Sequence, residues 1–362
     1  NVVWDSPSED YNGSMPIGNG DLAANVWIEP NGDLVFLVSK SDAWSARHDL
    51  LKLGRVRVRM NPPLVAEGSE FKQELDLQSG SIRVDASNQK QTRSIRFWID
   101  ANHPVINVQI DSSEPCSADV MLESWRADGK HLLWDAARDT ILPADGETIR
   151  WYQRTTKSVF KSAMDNQHLG HMVDQMPDPL LNNTFGGLIA GEGLITKDDK
   201  MLTTAQPVKH IHLKVHALTE QTETPEVWVE KIERQRANTD SVTTDEAWQA
   251  HVRWWSAFWN RSYIHLSGTK EAEQVAEAYQ LQRWVLACAG RGAYPIKFNG
   301  SLFVVDGVAD YHKDPEGVEF GPDYMRWGGP YWFQNTRHIY WPMLPMGDYE
   351  MMLPLFDMYR NM

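Results

Sequence analysis

The chain has 362 residues, 42% hydrophobic and 23% charged, with 35 basic and 49 acidic side chains and a formal charge of −14. This is the composition of a globular chain long enough for two domains, which excludes a disordered or fibrous protein. The negative charge disfavours nucleic acid and anionic lipid as partners, and no apolar run approaches the ~20 residues of a membrane span.

From Asn1 to about residue 234 the pattern has period two. Val56, Val58 and Met60 alternate with Arg55, Arg57 and Arg59; Ile95, Phe97 and Ile99 alternate with Arg96, Trp98 and Asp100. Ile106, Val108 and Ile110 follow the same rule, as do Ile211, Leu213, Val215 and Ala217 among His210, His212, Lys214 and His216. One apolar and one polar face per strand predicts antiparallel sheets. Turn residues punctuate the runs at Asn31-Gly32-Asp33, Ser79-Gly80-Ser81, Asp111-Ser112-Ser113 and Gly186-Gly187. A large β-sandwich over residues 1–235 fits this rhythm. Residues 153–183, with Met164, Met172, Met176, Pro177 and Pro179, read as a long excursion from it.

The last third reads as helices. Thr243-Thr244-Asp245-Glu246 is a capping box, followed by Trp248, Val252, Trp255 and Trp259 at helical spacing. Residues 236–268 are therefore read as a helical linker. A second helix runs from about Thr269 to Ala289 and ends at Gly290. A polar loop follows to about Tyr331, holding Lys297, Asn299, Asp306, Asp310, His312, Asp314, Asp323, Arg326 and Trp327. Loops of that length between helices tend to be functional. Helices resume near Trp332–Trp341 and Tyr349–Arg360, still strongly apolar at the end, so residues 269–362 read as the start of a larger helical domain.

Sixteen tryptophans in an acidic chain suit either a large aromatic core or a protein that stacks sugars on rings. Cys116 and Cys288 are read as buried small hydrophobes. His210, His212 and His216 share a strand face, but Lys214 stands among them and opposes a metal, so none is expected. The first residue is Asn1 with no leader before it, which fits either a removed signal peptide, and with it the expected periplasmic or secreted location, or a trimmed N-terminus.

Several short motifs carry a resemblance. Met15-Pro16-Ile17-Gly18-Asn19-Gly20-Asp21-Leu22, Ser41-Asp42-Ala43-Trp44-Ser45 and Glu74-Leu75-Asp76-Leu77 open the series. Asn182 to Gly187, Pro295 to Gly300, Tyr340-Trp341-Pro342 and Pro354-Leu355-Phe356 continue it in order. Together they resemble glycoside hydrolase family 95, the inverting α-L-fucosidases and their relatives, and a related group from Bacteroidetes. The resemblance implies a multidomain α and β protein: an antiparallel β-sandwich, a helical linker, then an α/α toroid that continues past residue 362. It implies an inverting exo-glycosidase that removes a terminal α-linked L- or deoxy-sugar from an oligosaccharide or polysaccharide without a cofactor. A carboxylic acid would protonate the leaving oxygen and a base would activate water ~6.5–9.5 Å away. Both are expected beyond this chain. Aligned on Tyr340-Trp341-Pro342, one of the family's water-positioning asparagines falls on Asn335; the other falls on Phe333, which cannot hold water, with Gln334 as its neighbour.

The candidate catalytic residues are therefore Asn335 and Asp323, the latter as a local acid–base carboxylate. Candidate substrate ligands are Lys297, Asn299, Trp327, Trp332, Gln334, Arg337 and His338, where rings, amides and cations can meet sugar faces and hydroxyls. A capping and salt-bridge cluster is the structural alternative for Arg337 and His338, and turn anchoring is the alternative for Asp323 and Trp327 beside Gly328-Gly329. In the opening motifs, Asn19, Asp21, Asp42 and Trp44 read first as hairpin residues, with substrate contact as the alternative. Two other functions stay open. A polysaccharide lyase would use Tyr324, Asn335, Arg337 and His338 on a uronate, and a glycan-binding protein would show affinity without turnover.

Overall fold

The computed structural model describes residues 1–66, 68–89, 91–129, 136–305, 321–325, 327–329 and 331–361. The loop residues Asp306, Asp310, His312, Asp314 and Arg326 named above lie outside the described residues. Fifteen strands occupy the first part of the described chain: β1 Val2–Trp4, β2 Met15–Gly18, β3 Leu22–Ile28, β4 Leu34–Trp44, β5 Leu50–Asn61, β6 Glu70–Asp76, β7 Ser81–Ser87, β8 Thr92–Ile99, β9 Val105–Glu123, β10 Thr140–Ile141, β11 Ile149–Arg154, β12 Asn183–Gly191, β13 Leu194–Asp198, β14 Met201–Thr204 and β15 Val208–Gln221. All pairings are antiparallel.

One sheet runs β1-β6-β7-β8-β9-β15-β12-β11-β10, and the other runs β2-β3-β4-β5-β9-β14-β13. The long strand β9 belongs to both. Its first half pairs with β8 and β15, and its second half with β5 and β14. Asp111-Ser112-Ser113, expected to be a turn, instead opens the stretch through Pro115 where β9 crosses between sheets. The register shifts there, between Val208 and His210 on β15, and Asp111, Ser113, Glu114 and Pro115 face solvent. Between the sheets lies a shared core of Ile17, Val26, Phe36 and Val38 against Ile82, Phe97, Val108 and Val215, with the Phe36 and Phe97 rings edge-to-face at 5.0 Å. Cys116 and Cys288 are buried free thiols.

The excursion after β11 holds a short helix, α1 (Phe160–Asn166), and a 3-10 turn over Gly170–Gln175 before β12 begins. The strands end at Gln221. The stretch read as sandwich up to residue 235 already contains α2 (Pro225–Asp240), capped by Thr224 with Pro225 in its first turn. It lays Trp228 and Ile232 on Leu188 and Ala190 of β12, and this narrow stripe is why period-two counting missed it. Next come α3 (Thr244–Arg261), closed by the expected capping box, and α4 (Lys270–Ala289), capped by Thr269. Trp255 of α3 stacks on Trp284 of α4 at 4.5 Å. Then follow α5 (Phe333–Tyr340), α6 (Met343–Met346) and α7 (Leu353–Arg360). Buried Arg283 of α4 reaches Asp348 at 2.9 Å and ties this last part down. Among the described residues, no helix is long and apolar enough to cross a membrane.

The opening motif joins sheet to helix. Gly20 N donates to Cys288 O at 3.1 Å, Arg291 N donates to Gly20 O at 2.9 Å, and Trp284 Nε1 donates to Pro16 O at 2.9 Å. Asn19 holds its own hairpin and the backbone of Asp100 and His103, while Lys40 bridges Asp21 and Asp42, both at 2.9 Å. These are hairpin and docking roles. A Cβ on Gly18 would come 2.2 Å from Cys288 O, so the end of α4 seats directly on a bare backbone. Gly18→Ala is expected to lower stability by about 1–3 kcal/mol through overpacking. Urea unfolding checks it, and an unchanged midpoint would mean that α4 does not seat this closely.

Candidate functional site

After α4 the chain turns back across the end of the β4–β5 hairpin. Ile296 N donates to Tyr340 Oη at 2.7 Å, and Tyr331 Oη donates to Pro295 O at 3.1 Å, fixing this loop against α5. Trp44 packs against Tyr294 (5.6 Å) and Tyr331 (5.8 Å). Lys297 enters the space they enclose, with Nζ 4.5 Å from the centre of the Tyr331 ring and 5.8 Å from that of Trp44. The side chain is buried, and that burial pulls its pKa down to about 7 against the opposing charge of Asp49. Burial pushes Asp49 up to about 6, and it lowers His48, helped by the charges of Arg47 and Lys297. Asp49 at about 6 and Lys297 at about 7 thus share one corner with a histidine, a pattern that favours functional sites.

Outside that corner lies an aromatic surface. Phe298 stacks on Trp332 at 6.1 Å and 13°, and Trp327 leans on Trp332 at 5.0 Å. Trp327 and Trp332 are 51% and 46% exposed, and the neighbouring Phe333 and Trp341 are 63% and 56% exposed. Arg337 lies 5.1 Å over Trp341 and 5.8 Å over Phe333, and His338 packs at 5.2 Å against Trp341. Gln334 and Asn335 are exposed on the same helix, α5. Trp327 has a left-handed backbone (φ 61°), as does His48 (φ 58°). A Cβ on Gly329 would come 2.5 Å from His48 Cδ2, so the glycine lets the platform loop close onto the hairpin. Non-glycine residues held in this region gather at ligand sites.

The structure brings Trp327 and Trp332 together and sets Gln334, Asn335, Arg337 and His338 beside them. Asn299 is half-buried next to Phe298, and Lys297 is inside. Asp323 is elsewhere, and its surroundings give it a different job from the acid–base role expected of it. Its carboxylate takes Arg126 Nη1 on both oxygens (2.8 and 2.7 Å), Trp125 Nε1 at 2.7 Å and Lys52 N at 2.9 Å, and its side chain is fully buried. Arg126 also holds Asp139 at 2.8 Å. Asp323 therefore anchors the platform loop to the sandwich. Sequence reasoning missed Asp49, His48, Phe298 and Trp341. The Trp125-Arg126 pair at the end of an apolar strand was the one local hint of the anchor. Among the described residues, no group of three or more His, Cys, Asp or Glu could hold a metal ion, and His210 pairs with Asp111 at 2.7 Å.

Fold and site together define an antiparallel sandwich followed by helices that meet it at an aromatic seam. Residues 3–264 match the model of the DUF5703_N family, described as a domain of unknown function (DUF5703), and the chain belongs to that family. No curated protein matches the sequence. Among solved structures the chain is similar to a protein described as a kojibiose phosphorylase from human microbiome. That likeness has 12% identity and a TM-score of 0.52, and covers 83% of this chain and 43% of the other. It is also similar to a bacterial glucoamylase complexed with acarbose, at 7% identity and a TM-score of 0.39, covering 83% and 48%. The chain thus spans less than half of either protein, and the likeness to the first is one of fold.

Proposed function

We propose that this chain is part of a carbohydrate-active enzyme that cleaves a terminal α-linked sugar with inversion, and that residues 269–362 begin its α/α toroid. The single observation that carries this reading is the exposed run of Trp327, Trp332, Phe333 and Trp341 beside two amides, an arginine and a histidine. Rings suit the apolar faces of a pyranose, and amides and cations suit its hydroxyls. The fold likeness to a kojibiose phosphorylase supports the same class. In this reading Trp327 and Trp332 stack the sugar, Gln334, Arg337 and His338 bind hydroxyls, and Asn335 holds the attacking water. Asn299 lines the edge, and Lys297 supplies a cation from behind Tyr331. The acid and base of the inverting pair are not assigned to residues of this chain. The enzyme acts in the periplasm or after secretion, on L- or deoxy-sugars of complex glycans.

The protein is incubated with α-L-fucosides, α-glucosides and uronate polymers, with and without phosphate, and products are followed by NMR. The expected result is release of a monosaccharide of inverted anomeric configuration. Trp332→Ala is expected to weaken substrate binding about tenfold, the worth of one good ring contact. Phosphate-dependent release of a sugar phosphate would replace hydrolysis with phosphorolysis. An unsaturated uronate would make it a lyase. Affinity without any turnover would leave a glycan-binding protein.

A further inference from the structure

Where the strands meet the helices, a cleft of about 580 Å³ opens between the turn joining β6 to β7, the end of α3 and the middle of α4. Its size is that of a ligand site. The turn is tightly tied. Asp76 accepts from Gln78 N at 3.1 Å and from Ser79 Oγ at 2.5 Å, and Gly80 N donates to Asp76 O at 3.0 Å. The Gln78 side chain is left exposed at its tip. Half-buried Trp259 reaches across to the same turn: its Nε1 donates to Leu77 O at 2.6 Å, and Phe258 meets its ring edge-on at 4.9 Å. Past α3 the chain is fastened to α4. Ser262 Oγ bonds Tyr279 Oη at 2.5 Å, Arg283 Nη1 donates to Ser262 O, and Gln280 Nε2 donates to Ile264 O at 3.3 Å. Between these ties Tyr263 stands 62% exposed, and it lines the cleft together with the exposed amide of Asn260. Asn1 completes the wall, its amide donating to Glu74 Oε1 at 2.7 Å and accepting from Leu77 N at 3.3 Å.

Two rings, four amides and Leu77 make the lining, and among the described residues that form it none has a charged side chain. In a chain where 23% of the residues are charged, such a lining selects against an ionic ligand. Rings pack on the C–H faces of a pyranose, and an amide donates to one hydroxyl while accepting from the next. The platform around Trp332 differs in this respect, because Arg337 and His338 stand there. We propose that this cleft is a second subsite that holds a neutral pyranose unit of the glycan. Tyr263 and Trp259 meet the sugar's faces, while Gln78 and Asn260 take adjacent hydroxyls. The inference rests on the reading of the protein as one that handles saccharides.

Electrophoresis through native gels containing starch, galactomannan, xyloglucan or polygalacturonate tests it, with retardation read as affinity. Trp332→Ala serves as the background, because it removes a ring of the platform. In that background a neutral polymer is expected to retard the protein, and polygalacturonate is expected to retard it far less. Adding Tyr263→Ala is expected to weaken this binding about tenfold, and Gln78→Leu or Asn260→Leu about fivefold each. Tyr263→Ala is expected to leave the melting temperature unchanged, since the ring is exposed, so that lost retardation is not lost folding. Retardation by none of the neutral polymers overturns the subsite, as does retardation unaltered by the three cleft variants or equally strong with polygalacturonate. Retardation that vanishes with Trp332→Ala alone also overturns the subsite and leaves the proposed function standing. Retardation lost with Tyr263→Ala but unmoved by Trp332→Ala, with no sugar released from any substrate, overturns the proposed function and leaves the subsite standing.

Discussion

Arg126→Met is expected to lower the unfolding free energy by about 3–5 kcal/mol, the cost of stripping one partner from a buried ion pair. The environment of the arginine explains the size. Its side chain is 1% exposed, and those of Asp139 and Asp323 are 1% and 0% exposed. Methionine would leave both buried carboxylates without a cation, Asp139 keeping its bond from Ser124 Oγ at 2.5 Å, and Lys52 O would lose its bond from Arg126 Nη2 at 2.8 Å. Asp323 would keep only neutral donors, Trp125 Nε1 and Lys52 N. Adding Asp323→Leu to the same chain is expected to recover part of the loss, because one uncompensated charge goes with it. Urea unfolding of the two single variants and the double variant gives the coupling between the residues. A single-variant loss below about 1 kcal/mol would mean that water reaches the pair and screens it. Function should suffer alongside stability. Asp323 pins the loop that presents Trp327, so loosening it costs platform order before the protein unfolds.

Much of the scaffold was legible because it is encoded locally. Alternation at Val56–Met60 and Ile211–Ala217 marked strands, and Thr243 with Glu246 marked the start of α3 to the residue. Errors arose where a local signal had a non-local meaning. Asp111-Ser112-Ser113 has turn chemistry, yet it opens a change of sheet, which only the positions of β5 and β14 reveal. The helix α2 announced itself in Thr224-Pro225, but Trp228 and Ile232 are too sparse a stripe to outweigh the strands before them. At the candidate site, Trp327 and Trp332 could be paired because they lie only five positions apart. The Arg126–Asp323 anchor joins residues 197 apart, and the Lys297 corner is walled by Trp44 and Tyr331 from opposite ends of the chain. Partners at that range leave no trace in spacing. An isolated aspartate in a polar loop therefore reads as available for chemistry when its charge is already committed.

Acid is expected to destabilise the protein between about pH 6.5 and pH 4, through histidines held neutral in the fold. The clearest is His251 on α3. Its Nδ1 accepts from Ala101 N–H at 3.1 Å, and its Nε2–H donates to Gly80 O at 3.1 Å. A second proton would have to sit on Nδ1, against an N–H already there. Burial lowers its pKa from 6.5 to about 4, only partly countered by Asp100. Burial takes His216 and His212 to about 4 as well, with Lys214 adding to the effect. A depressed folded pKa means that stability is complete above 6.5, where both states are neutral. It is lost as the pH falls toward 4, because the unfolded chain takes up a proton that the fold refuses. For fully buried His216 and His251 that is about 3 kcal/mol each. Asp49 works in the other direction: raised to about 6, it accepts a proton first in the fold and offsets part of the loss as the pH falls below 6. His251→Gln separates these contributions. Its unfolding free energy is expected to fall less steeply with acid, so that the gap to the unaltered protein narrows by about 3 kcal/mol between neutral pH and pH ~4. Parallel urea-unfolding curves for the two proteins across that range would mean that His251 accepts its proton in the fold as readily as out of it, and the seat of α3 on Gly80 and Ala101 would have to be looser than these hydrogen bonds describe.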